Sequence, residues 1–210
     1  MAGGKETPRQ KMIGMMYLVL TALLALNVSN AVLEKFAIID NTLGKMNEET
    51  VASNEKRLSD ILASANKDQR SVEAQEKAKQ VRELTAGMLT YLDDLKKKMS
   101  TEPDGTAIEG EELVLNTNRA EELMLDSNKP EVGQEYEKRL IAYVADLNKI
   151  MGLSKPFPKL NRKAEDYDEF KNNTNQLDKS FLHFSFETTP TMGAIASISQ
   201  MQTEILVEYE

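Results

Sequence analysis

From Met12 to Leu33 the chain carries no acidic or basic residue, in the run MIGMMYLVLTALLALNVSNAVL. A helix over that run rises about 33 Å at 1.5 Å per residue, against a hydrocarbon core of about 30 Å. Its apolar heart, Met12 to Leu26, is shorter, and Asn27, Ser29 and Asn30 belong at a watery interface. Beyond it, Leu33, Phe36, Ile39, Leu43 and Met46 step by three and four, the period of a helix pressed against a neighbour. Gly44 weakens that stretch without ending it, and the signal resumes at Leu58, Ile61, Leu62 and Ala65. A second helix is predicted through Val81, Leu84, Met88, Leu92, Leu95 and Met99, closed by the turn residues Thr101 to Gly105. A third covers Glu109 to Leu125 and ends before Asn128-Lys129-Pro130. A fourth starts at Pro130 and carries Tyr136, Leu140, Tyr143, Val144, Leu147 and Ile150.

Gly152 to Tyr167, with Pro156-Phe157-Pro158, reads as a connection across the bundle. Ser180 to Thr188 alternates apolar and polar residues, as an extended segment does; equally, it reads as a loop whose phenylalanines plug one end of the core. Thr189-Pro190 opens a last helix with Met192, Ile195, Ile198, Met201, Ile205 and Leu206, a pattern still running at Glu210, so more chain is expected past it. The predicted fold class is all-α: a single N-terminal transmembrane helix continuing into an extracytoplasmic helical bundle. Its parts are 1–11 (cytoplasmic N-terminus and helix start), 12–33 (membrane span) and 34–210 (helical domain).

Charge gives the orientation. Lys5, Arg9 and Lys11 against Glu6 make residues 1–11 net +2 in a chain of −8, leaving −10 for the rest. Basic residues before the span put the N-terminus in the cytoplasm. A bulk that acidic does not bind nucleic acid by counterion release. A cleaved signal peptide shares the basic start and apolar middle, with Ser29-Asn30-Ala31 as its cleavage site. Met1 is retained, however, and the apolar pattern runs on into a helix without a break, so the segment reads as an uncleaved anchor.

Thr7-Pro8-Arg9-Gln10 opens the helix: Thr7 as cap, Pro8 at the first position, and Gln10 completing a capping box. That puts Arg9 inside the first turn, where the macrodipole disfavours a cation. On the residues alone the default reading is a positive-inside arginine that snorkels to headgroups. The alternative is a cation waiting for a carboxylate on a partner helix. Arg9 and Asn27, five turns apart, share a side with Met16 and Leu20. Tyr17, Thr21, Ala25 and Ser29 recur every fourth residue, a small, weakly polar stripe that lets another membrane helix approach.

Chemistry is sparse. There is no cysteine and one histidine, His183, which sits among Phe181, Leu182 and Phe184 and reads as packed or capping. No phosphate loop, nucleophile elbow or ligand spacing occurs. Glu48-Glu49, Asp93-Asp94, Glu111-Glu112 and Glu121-Glu122 fall mostly between apolar ridges, as solvated faces do. No catalytic residue, cofactor or metal is expected, and the chain does not read as an enzyme.

The opening MAGGKETPRQKMIGMMYLVLTALLALNVS closely resembles the N-terminus of the GldM/PorM family, inner-membrane subunits of the gliding-motility and type 9 secretion motor of Bacteroidetes. FETTPTMGAIASISQMQTEILVEYE is similar to the matching place in the family's first periplasmic domain. The resemblance implies a homodimer whose two membrane helices sit inside a pentamer of the partner GldL. It also implies proton-driven rotation, and β-rich periplasmic domains further along that reach an outer-membrane ring. The arginine of TPRQKM, here Arg9, would face a glutamate of the partner's membrane helix. Under that resemblance Arg9 becomes the coupling residue and the outer domain becomes periplasmic. The competing class is a membrane-anchored sensor of chemoreceptor type, which requires a second membrane helix and a cytoplasmic signalling region. A membrane-tethered periplasmic chaperone is a third. Whether Leu33 to Met46 forms the dimer contact or packs within its own bundle stays open at this level.

Overall fold

The computed structural model describes residues 7–63 and 69–210, with the side chains of 22–29 and 69–71 outside the description. Eight α-helices follow in order: α1 Pro8–Ala63, α2 Gln69–Met99, α3 Gly110–Leu115, α4 Arg119–Leu125, α5 Glu131–Met151, α6 Thr174–Leu177, α7 Phe181–Phe186 and α8 Thr191–Glu204. Two 3₁₀ turns lie at Ala164–Asp166 and Asp168–Phe170, and α8 runs into a π-helical turn, Ile205–Tyr209. Among the described residues the only β pairing is an isolated bridge between Thr101 and Ala107.

The predicted helices form, and their apolar faces mostly go inward. Val81, Met88, Leu92, Leu95 and Met99 of α2 meet Tyr136, Leu140, Tyr143 and Leu147 of α5 in one core. The two helices are antiparallel. Thr85 and Tyr143 share a hydrogen bond at 3.0 Å, and the Arg139 guanidinium lies 4.5 Å from the Tyr91 ring centre. Burial pushes the Tyr143 hydroxyl up to about 12, against the lowering effect of its bond to Thr85. α5 ends at Gly152, whose φ of 61° is the left-handed cap that a residue with a Cβ adopts only at a cost.

α8 is the central helix. No charged residue falls between Glu187 and Glu204, and Thr191 to Ala196, Ile198, Ser199 and Gln202 are all buried. Ser197 and Gln200, one turn apart, are its exposed residues, so the helix is covered on nearly every side and offers water only a narrow polar edge. α1 lies along it, with α2 on another side.

Four details differ from the sequence expectations. Glu109 to Leu125 is two helices, because the Asn116 side chain accepts from the backbone N–H of Asn118 (3.3 Å) and Arg119 (2.9 Å), which turns the chain. The fourth helix starts at Glu131, with Pro130 in front of it. Ser180 to Thr188 is neither extended nor a loop. Ser180 caps the short helix α7 by accepting from His183 N–H at 3.3 Å, and that helix turns Phe181 and Phe186 into the core against Tyr136. The face assigned to α1 is only half right: Leu33 is buried, but Ile39 and Met46 are 47% and 48% exposed. The residues that face inward instead are polar.

Candidate functional surfaces along the first helix

α1 has two parts with different surroundings. It is 56 residues long, about 84 Å at helical rise. Its N-terminus is closed as the sequence dictates: Thr7 N–H donates to Gln10 Oε1 at 3.0 Å, and Gln10 N–H donates to Thr7 Oγ1 at 3.3 Å. This capping box satisfies two of the orphan donors and leaves Pro8 at the first position, where no donor is needed. Arg9 follows in the first turn and is exposed.

From Met12 to Leu20 the large apolar side chains are all exposed, from Ile13 at 54% to Tyr17 and Leu18 at 72%. Nothing in the described chain covers them. Tyr17 and Thr21 do lie on one side, a turn apart, and the Thr21 hydroxyl donates to the Tyr17 carbonyl at 2.6 Å. That bond removes the hydroxyl as a cost in an apolar setting. Ala25 and Ser29, the rest of the predicted stripe, and Asn27 lie outside the described side chains. Among the described residues no helix is long and apolar enough to cross a membrane; residues 22–29, the middle of the predicted span, are not among the side chains described.

Burial begins at Leu33, and from there α1 belongs to the bundle. Every seventh residue from Leu33 faces α8: Asp40, Asn47 and Asn54. The Asn47 amide donates to Ser199 O at 3.1 Å and the Asn54 amide to Leu206 O at 2.9 Å. The partners advance by seven on both helices, so α1 and α8 run parallel. Thr203 Oγ1 donates to Asn47 Oδ1 at 2.7 Å, and Ser199 Oγ donates to Asp40 Oδ1 at 2.5 Å.

The third helix joins at the same level. Lys96 Nζ of α2 donates to Ser199 Oγ at 3.2 Å and to Gln202 Oε1 at 2.8 Å, and lies 3.4 Å from Asp93 Oδ1. Gln202 Nε2 donates to Asp93 Oδ1 at 2.8 Å. The Ser199 hydroxyl thus accepts from a cation and donates to a carboxylate, an arrangement in which each bond polarises the next. Further along, Arg82 of α2 pairs with Glu55 of α1 at 3.0 Å and with Glu210 at 2.5 Å.

Sequence reasoning missed this seam because it sought apolar residues on the inward face. The signal was nevertheless present: Asp40, Asn47 and Asn54 at heptad spacing in a helix whose apolar residues flank them. His183 is exposed, its Nδ1 2.9 Å from Ser180 Oγ, so of its two predicted roles it takes part in capping. Of the acidic pairs, Asp93 and Glu121 are not merely solvated: Asp93 joins the network above, and Glu121 Oε2 accepts from Thr188 N–H at 3.0 Å. Among the described residues no group of three or more His, Cys, Asp or Glu is arranged to hold a metal ion.

A bare apolar arm continuous with a helical bundle defines a class: a helical domain carried on one long projecting helix. The GldM N-terminal domain family matches residues 31–208, nearly all of that bundle. The chain therefore belongs to the GldM/PorM family, whose members are components of the gliding-motility and type 9 secretion motor. A comparison with curated proteins finds no match. The family match starts two residues before Leu33, where burial starts, so it is carried by the domain, while the opening motif TPRQKM lies outside it.

Proposed function

We propose that the chain is the membrane-anchoring and force-transmitting subunit of a proton-driven inner-membrane motor that powers type 9 protein secretion and gliding motility. The observation that carries this reading is the apolar arm. Residues Met12 to Leu20 stand bare on the same helix that enters the bundle at Leu33, so whatever moves the arm is linked to the domain by one continuous helix. In this reading residues 12–33 cross the bilayer, 1–11 lie in the cytoplasm and 34–210 in the periplasm. Its role is mechanical, not enzymatic, and needs no cofactor.

Arg9 is the proposed coupling residue. An arginine beside an apolar span is costly unless it meets a carboxylate or headgroups, and a partner subunit of GldL type supplies that carboxylate. Each proton that crosses carries about 2.3 kcal/mol per 100 mV. Protonating the carboxylate removes the charge-assisted bond to Arg9, and its return restores it. The stripe of Tyr17, Thr21, Ala25 and Ser29 is the proposed packing face, for the second copy of a homodimer or for the surrounding partner helices.

The test is Arg9→Ala in the full-length protein. The reading expects normal assembly with the partner subunit and loss of secretion and gliding. Normal transport by that variant removes Arg9 from the mechanism.

A further inference from the structure

The seam between α1 and α8 is polar where a simple bundle would use leucine. Asp40, Asn47 and Asn54 occupy every seventh position of α1, the place of one core position in a heptad. Asn47 and Asn54 are 9% and 7% exposed, and their partners Ser199 and Leu206 are 0% and 2% exposed. Apolar seams tolerate slip, since one leucine replaces another at little cost. A buried amide facing a carbonyl does not: a register that takes it off that carbonyl leaves its N–H groups unsatisfied in a dry setting. A polar residue at one such position is known to set register and orientation at some cost in stability.

We propose that this polar seam is a register lock that fixes the axial position and rotation of α1 against α8, so that movement of the projecting arm is passed to the bundle without slip. The inference rests on the force-transmitting reading above and assigns it to particular residues. The geometry suits that job. Two amide-to-carbonyl bonds one heptad apart resist sliding along the helix axis. The lateral chain from Asp40 through Ser199 to Lys96 ties the same level to α2 and resists rotation. Lys96 in turn holds Gln202, one turn along α8 from Ser199. Three helices are therefore pinned at one level by side chains that leave no equivalent alternative. The exposed face of α1, with Ile39 and Met46, takes no part in the lock.

The experiment is Asn47→Leu together with Asn54→Leu in the full-length protein, in its membrane complex. Leucine has the same number and branching of side-chain heavy atoms and makes the face apolar, so the domain is expected to fold, with a thermal midpoint within a few degrees of the parent. Hydrogen exchange along residues 33–54 is expected to quicken at least tenfold while α2 and α5 keep their protection. Secretion is expected to fall at least tenfold with the complex still assembled. Met46→Leu, on the exposed face, is the control and keeps parental behaviour. Unchanged exchange along 33–54 overturns the lock whatever transport does. Faster exchange with normal secretion also overturns it, because α1 then works without fixed register. A double variant that does not fold overturns it too, by making the seam a source of stability. The exchange result does not depend on the motor reading, so loss of one is distinguishable from loss of the other.

Discussion

The Asn47 side chain is held from both ends by one turn of α8: its amide donates to the Ser199 carbonyl at 3.1 Å, and its carbonyl accepts from the Thr203 hydroxyl at 2.7 Å. Ser199 and Thr203 lie on successive turns of a helix that has no charged face, so their carbonyl and hydroxyl are among the few polar groups that α8 presents to this amide of α1. The same relation, reduced to one bond, recurs between Asn54 and Leu206.

Removing one such side chain without filling its space leaves a cavity and an unmet carbonyl. Asn54→Ala is expected to destabilise the domain by about 1–2 kcal/mol, read from urea denaturation. Asn54→Leu is expected to cost clearly less, because apolar burial offsets the lost bond. Equal losses for the two would contradict the assignment of Asn54 as a buried donor.

Gly133 is set by a close approach. A Cβ built there overlaps the Met124 carbonyl oxygen, so α4 and α5 meet only if this position has no side chain. Gly133→Ala is expected to destabilise by about 1–3 kcal/mol through forced separation of those helices. An alanine variant with the parental denaturation midpoint would show that the two helices do not pack this closely.

Thr188 is a β-branched residue at φ 54°, held there by Glu121 on one side and by the start of α8 on the other. Asparagine adopts this backbone region more readily and keeps the N–H that Glu121 accepts. Thr188→Asn is expected to raise stability by about 1 kcal/mol, checked by thermal and chemical unfolding. A loss of stability would mean that the threonine side chain contributes more than its strain costs.

Asp166 links the stretch after α5 to itself. The Lys159 ammonium, 2.8 Å away, holds its carboxyl below the usual carboxylate range, with help from the Lys163 backbone N–H at 2.8 Å and against the opposing effect of burial. A carboxyl with a depressed folded value adds stability that is fully present above its unfolded value, about 3.9, and is lost as pH falls through the folded one. The parent is therefore expected to be more stable than Asp166→Asn at pH 7, and the gap to close as the pH falls below about 4. A gap that persists unchanged in acid would place the effect elsewhere.

The fold was legible wherever one face alone was apolar. α2 and α5 follow three-and-four spacing because each faces one core, and the listless polarity of their outer sides marks the other face. α8 was legible as a helix, but its central place was not: a spacing rule reports one apolar stripe and is blind to small residues such as Gly193, Ala194 and Ala196, which let neighbours close in on the remaining sides. In α1 the rule chose Ile39 and Met46 over Asp40 and Asn47, since it counts hydrophobicity and cannot see that α8 offers carbonyls and hydroxyls to polar partners. The break at Asn116 escaped because its cause is a side chain folding back on the backbone, and its hold on Thr191 (2.6 Å) lies far along the chain. The capping box at Thr7 and Gln10 was readable because everything it needs is local.

The central claim is that one helix passes from the membrane into the bundle, and thiol labelling tests it directly. These 210 residues hold no cysteine, so the unsubstituted full-length protein gives the background against which each single substitution is read. Leu18→Cys and Glu34→Cys would be placed in the full-length protein in intact cells and in inverted membrane vesicles, and treated with a membrane-impermeant thiol reagent. The account predicts that Leu18→Cys resists the reagent from both sides, whereas Glu34→Cys reacts from the periplasmic side only. Ready labelling of Leu18→Cys from either side would contradict it.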